Sequence, residues 1–124
     1  MKMSTALLIT TDDKFREIEF ENTLDFYYKH IECDLIEITT PRVLRKIGGL
    51  SDNFIMIVDE EGLLKNNPKL NIYASTFRGM PIYGNVMIVK DNGEDFEGLE
   101  RSDHEQLALA MNTLLKELER QYYN

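Results

Sequence analysis

Apolar and polar positions recur along this chain in two periods, one near two residues and one near three and a half, and the changes between them mark its elements. Over Ala6–Thr11 and Phe15–Phe20 the period is that of strands; in the second, Ile18 and Phe20 fall on one side, Glu17 and Glu19 on the other. The link Asp12-Asp13-Lys14 is short enough to make the pair a hairpin. A helix is expected next, capped by Asn22 with Asp25 in its first turn, because Leu24, Tyr27, Tyr28 and Ile31 recur at i, i+3, i+4 and i+7. Cys33–Thr39 returns to the strand period, with Leu35 on one side and Ile36 and Ile38 nearer the other. Thr40 as cap and Pro41 as first helical residue open a short second helix, which Gly48-Gly49 ends.

Phe54–Val58 is apolar without a break, which predicts a central strand buried on both faces. Asp59–Gly62 reads as a turn, and Asn71–Phe77 as one or two helical turns. Ile82–Lys90 is a long strand in which Gly84 marks a bulge or a close backbone approach, and Asp91–Asp95 is a loop. The last element is a long helix over residues 102–123. Ser102 and Glu105 have the spacing of a capping box, and Leu107, Met111, Leu114, Leu115, Leu118 and Tyr122 line one face, with the stripe running on to Tyr123 and Leu109 off it. The expected fold is α+β, a single domain over residues 1–124. It has a mainly antiparallel sheet of about five strands with packed helices, its core within residues 5–99, and a long C-terminal helix.

Composition leaves that picture intact: 124 residues, 43% hydrophobic and 29% charged, is an ordinary globular balance. Charge alters it. A formal net charge of −8 sets the average surface against a phosphate backbone, so non-specific binding to nucleic acid is not expected. The lone Cys33 excludes an intramolecular disulfide and fits a reducing cytoplasm, and the apolar runs Ala6–Ile9 and Phe54–Val58 are too short to span a bilayer. One lysine before a four-residue apolar stretch is too little for a signal peptide.

Candidate chemistry is sparse. His30 and His104 stand apart, and Glu32 and Cys33 near His30 fall short of the three or four convergent ligands that zinc needs. Asp91-Asn92-Gly93-Glu94-Asp95 lacks the spacing of a calcium loop. No Gly-x-Ser-x-Gly elbow is present; Cys33 in a strand reads as an inert small hydrophobe, and His104 in the first turn of the last helix as a residue meeting solvent. Asp59, Glu60 and Glu61 are carboxylates without a geometry. No catalytic residue, metal or cofactor is therefore expected. A phosphate site has better support. Arg42, Arg45 and Lys46 lie at i, i+3 and i+4 on one helical face, Arg78 could join them, and Tyr27, Tyr28, Tyr73 or Tyr83 could stack on a base. A second candidate surface is acidic: Asp91, Glu94, Asp95, Glu97 and Glu100, with Asp103 and Glu105 beyond, stand against the single base Arg101 and could occupy a basic groove on a protein partner. The length of the last helix admits a two-fold homodimer as readily as packing on its own sheet.

Taken in order, several segments resemble a known family. They are Glu21–Leu24 ahead of the strand Asp34–Ile38, then Val58–Lys65, Asn71 with Ala74, Ile82–Val89 and Gly93–Phe96. Their order and spacing are similar to the domain of unknown function 3846, over Ala6–Leu99. The long final helix goes beyond that pattern, and the usual Gly-Gly before the third strand is here Glu32-Cys33. The family is common in bacteriophages and other mobile elements of bacteria. The resemblance implies that setting and no established activity. The expectation is a non-enzymatic cytoplasmic accessory protein that binds and inhibits a host protein, a defence component among the candidates. The alternative is a sponge that sequesters a phosphate-bearing signalling nucleotide, and a small enzyme comes last.

Overall fold

The N-terminal alternating segments pair with each other. In the computed structural model, which describes residues 4–123, β1 (Thr5–Ile9) and β2 (Phe15–Glu19) form an antiparallel hairpin with Ile9 opposite Phe15. The link closes without an Asn-Gly pair because Asp13 takes a left-handed conformation (φ of 65°), which aspartate tolerates better than most residues. In α1 (Leu24–Ile31) the cap is Thr23, whose hydroxyl accepts from the Phe26 amide at 3.1 Å. Asn22, the expected cap, instead accepts from the Tyr27 hydroxyl and donates to Asp95, tying the helix start to a distant turn. Leu24 at the first helical position is 56% exposed, and Phe26 takes the core place beside Phe20 and Tyr27.

The chain leaves α1 through Glu32, at a positive φ of 63°; the Glu32 and Cys33 amides both bond the Tyr28 carbonyl. Cys33 therefore lies buried in the link after α1 and not in a strand, and β3 is only Ile36–Thr39. In α2 (Arg42–Lys46) Pro41 holds the cap position, with no side chain completing the cap; Thr40 contributes its carbonyl, to the Arg42 amide. Gly48 follows because α4 (Arg101–Tyr123) crosses there: a Cβ at Gly48 would stand 2.6 Å from the Ala110 carbonyl oxygen.

β4 (Phe54–Asp59) is buried throughout, as its unbroken apolar run predicts, but β5 (Val86–Asp91) takes the middle of the sheet. The strand order is β2-β1-β5-β4-β3, all pairings are antiparallel, and a short β6 (Phe96–Glu97) on β5 makes the sheet six-stranded. β5 starts later than Ile82. The Asn71 amide bonds the Ile82 carbonyl and the Gly84 amide bonds the Lys69 carbonyl, so Ile82–Asn85 peels away, with Gly84 at a φ of 98°.

Both faces of the inner strands are covered, which is why those strands read as nearly continuous apolar runs. On one face Leu7, Ile9, Met56, Val58, Val86 and Ile88 pack against α2, α3 (Ile72–Arg78) and α4 through Leu44, Phe77, Leu107 and Leu114. On the other, Ala6, Leu8, Ile55, Ile57, Met87 and Val89 pack under α1. The core stripe of α4 is Leu107, Ala110, Met111 and Leu114; Leu115 (41% exposed) and Tyr122 (82%) leave it, and the Tyr123 side chain lies outside the described residues. Ser102 is already helical, and the helix start is closed by the Asp103 carboxylate, which accepts from the Glu100 amide at 2.8 Å.

Candidate functional site

Two short helices bring the basic residues together. Asn71 caps α3 by accepting from the Ala74 amide, and Gly79 ends it in a left-handed conformation (φ of 86°). A Cβ at Gly79 would lie 2.8 Å from Cγ2 of Val43, so the end of α3 seats directly on α2. That contact sets Arg78 beside Arg42 and Lys46 round a groove of about 240 Å³, floored by Val43, Ile47 and Gly79. Among the described residues, none of these three cationic side chains makes an ion pair or hydrogen bond. Arg45 does not join them. Its guanidinium donates to the carbonyls of Asp52 and Phe54, the latter at 2.7 Å, and so pins the loop ahead of β4 onto α2.

On the other side of Arg78 lies a cleft of about 310 Å³, lined by Glu37, Glu60, Leu63, Pro81, Ile82 and Tyr83 among others. The remaining tyrosines are placed elsewhere: Tyr27 and Tyr28 belong to α1 on the opposite face, and Tyr73 stacks edge-on with Phe15. Periodicity gives no sign of this cleft, since Glu37 reads as one more polar residue of a half-exposed strand.

A third cleft, about 260 Å³, is lined by Glu32, Lys65, Lys69 and Asn85, and most of its polar groups are already committed. Lys65 Nζ lies 2.7 Å from the buried Asp59 carboxylate and donates to the Glu32 carbonyl at 2.6 Å. Asn85 donates to the Glu32 carboxylate at 2.9 Å and accepts from the Thr11 amide at 3.1 Å. The bond to Asp59 holds the Lys65 ammonium above its ordinary pKa. Burial, with Asp59 adding to it, pushes the Cys33 thiol up to about 11, so it is protonated and not nucleophilic near neutrality. These contacts form a brace: they fix the turn after α1 against the segment after β4. They also bind both the carbonyl and the carboxylate of Glu32, which sits in a left-handed conformation.

The histidines do not converge. Burial, then Lys29, lowers the pKa of His30 on α1. His104 in α4 does not simply face solvent: its Nε2 is 2.6 Å from the Thr5 hydroxyl and its Nδ1 3.3 Å from Glu17. Among the described residues no group of three or more His, Cys, Asp or Glu is placed to hold a metal. In the acidic stretch much of the charge is engaged. Asp91 accepts from the Gly93 amide, Asp95 from Asn22 and the Phe96 amide, and Glu97 and Asp103 both pair with Lys90. Glu94 is exposed at the turn, and Glu100 stands just ahead of α4.

An antiparallel sheet with one helix on its thinner side, three on the other and a basic groove between two of those three makes this a small α+β protein. The chain belongs to the family described as domain of unknown function DUF3846, whose model matches residues 1–112, so the match runs past Leu99 into the first half of α4. No curated protein and no solved structure matches the chain. Among the described residues no helix is long and apolar enough to cross a membrane.

Proposed function

We propose that this protein acts by binding, and that the groove between α2 and α3 holds a phosphate-bearing ligand. One observation supports the reading above others: Arg42, Lys46 and Arg78, from two elements, surround one groove with no internal counter-charge, on a chain of net charge −8. Like charges gathered this way repel one another, and an anion between them removes that repulsion. The two guanidinium forks suit paired phosphate oxygens, and the lysine adds a point charge. The acidic stretch is the weaker claimant, because several of its carboxylates already serve turns and ion pairs. In a bacteriophage or mobile element, such a protein would withdraw a phosphate-bearing signal from its host without turning it over.

The test is a melting-temperature titration with inorganic triphosphate at low salt. At a ligand concentration a hundredfold above Kd, binding adds about 2.7 kcal/mol to stability. The increment should vanish in the Arg42→Ala/Arg78→Ala double variant. Arg45→Ala should melt lower at the outset and keep the increment. No increment in the wild-type protein would remove the proposal.

A further inference from the structure

We infer that the ligand is a nucleotide lying across both clefts beside Arg78, its phosphates in the basic groove and its nucleoside in the neighbouring cleft. This rests on the phosphate reading of the groove and adds the chemistry of the second half. Arg78 lines both clefts, so a ligand held by its phosphates at Arg42, Lys46 and Arg78 has the second cleft next to it. That cleft offers what a nucleoside needs. Leu63, Pro81 and Ile82 give it an apolar wall, and the Tyr83 ring makes no aromatic contact among the described residues. A ring left unstacked in a cleft is a platform for a base. Two carboxylates lining the same cleft, Glu37 and Glu60, have no side-chain partner among the described residues. Acidic side chains accept hydrogen bonds from ribose hydroxyls in other nucleotide sites.

Two further features separate this cleft from an ordinary surface dip. The first is Glu37 itself. It pairs with Val58 in the sheet and so lies on the side covered by α2, α3 and α4, next to the apolar Val58 of β4, with its own side chain exposed at the sheet edge. Its neighbours Ile36 and Ile38 face the other way, and Ile38 is 50% exposed. Glu37 is thus an exposed carboxylate at the sheet edge that lines this cleft from a strand, where the backbone ladder fixes its position. The second is rigidity. The Asn71–Ile82 and Gly84–Lys69 backbone bonds, at 2.8 and 2.9 Å, flank the Leu70–Tyr83 bridge. A Cβ on Gly62 would come within 2.3 Å of the Tyr83 carbonyl oxygen, so the segment after β4 closes directly on this stretch. The backbone that carries the tyrosine is thus held in place before any ligand arrives, which lowers the ordering cost of binding.

Calorimetric titration with inorganic triphosphate and with the four ribonucleoside triphosphates tests this. At least one nucleotide should bind on the order of tenfold more tightly than triphosphate, the scale of one base stacked on one aromatic ring. Tyr83→Ala should erase that excess and leave triphosphate affinity unchanged, whereas Tyr83→Phe should keep it. Glu37→Gln should narrow the difference between ribonucleotide and 2′-deoxyribonucleotide. Triphosphate binding as tightly as every nucleotide overturns the nucleoside cleft and leaves the phosphate groove standing. Failure of triphosphate and nucleotides alike overturns both. A nucleotide affinity that survives Arg42→Ala/Arg78→Ala overturns the shared site.

Discussion

Asn71 is the residue on which the geometry of the site turns, and its replacement gives the sharpest stability prediction. Its side chain is fully buried and makes three hydrogen bonds: it accepts from the Ala74 amide at 3.1 Å and donates to the carbonyls of Ile9 and Gly84 at 3.0 and 2.9 Å. One group therefore caps α3, ties it to β1, and holds the turn that carries Tyr83. In Asn71→Ala the lost cap costs about 1 kcal/mol. Withdrawing the donor from two buried carbonyls costs about 1 kcal/mol each, and more if no water replaces it. The expected loss is about 3 kcal/mol, a large share of the roughly 5–15 kcal/mol that holds a domain together. Urea denaturation followed by circular dichroism at pH 7 measures it, and the melting midpoint should fall by on the order of 10 °C. Asn71→Asp sharpens the test, because it keeps the acceptor for Ala74 and turns the donating end into a charged oxygen facing two carbonyls. At pH 7 it should be less stable than the alanine variant. Burial raises the folded pKa of such a carboxyl, so the folded state takes up a proton at a higher pH than the unfolded chain does. The penalty should therefore shrink as pH falls through that raised value, where an O–H donor returns. A loss below 1 kcal/mol for Asn71→Ala, or an aspartate variant more stable than alanine at pH 7, would refute the bonding described.

Two more predictions concern local packing and one titrating group. Gly48→Ala places a Cβ 2.6 and 2.7 Å from two backbone carbonyl oxygens, of Ala110 and Leu44, so α2 and α4 must separate; the cost should be about 1–3 kcal/mol. Gly49→Ala meets open space and bears only the strain of its φ of 76°, about 1 kcal/mol; thermal denaturation in which Gly49→Ala is the more damaging would contradict this packing. Native Cys33 should resist iodoacetamide at pH 8 and become reactive with denaturant, because its thiol is pushed up to about 11. Between about pH 9 and about pH 11 the folded thiol keeps a proton that the unfolded one has lost, so stability should fall as pH rises there and Cys33→Ala should reduce that slope. Fast alkylation of the native protein at pH 8 would count against the buried placement.

The elements were legible because burial on one or both faces writes its period into the chain, and the ends were not because ends are decided by single hydrogen bonds. Phe54–Val58 needed no structure to be read as a buried strand. Ile82–Asn85 reads as its equal, yet backbone bonds to Lys69 and Asn71 pull it out of the sheet, and those partners are themselves outside any strand. Asn22 and Thr23 are both good caps by type; the Tyr27 hydroxyl claims Asn22 and leaves Thr23 to the helix. The site shows the same division. Helical spacing does put Arg42, Arg45 and Lys46 on α2 near one another, but direction is all that spacing reports. Arg45 is lost to carbonyls at Asp52 and Phe54, seven and nine residues away, and only the chain's path after Gly49 puts them there.

The two halves of the proposed site also draw on different parts of the chain. Glu37, Glu60 and Tyr83 lie within the segments whose order resembles the family, beside the brace of Asp59, Lys65 and Asn85. Arg42, Lys46 and Arg78 lie between those segments, still within the matched residues 1–112, on short helices whose buried residues are Leu44, Ala74 and Phe77. Arg42 and Lys46 are exposed and Arg78 half-buried, so a change of charge at the first two leaves the sheet undisturbed. The cleft is different. Its wall is made by residues that also set the path of the backbone at Gly62 and Gly84, so altering its shape means altering the frame.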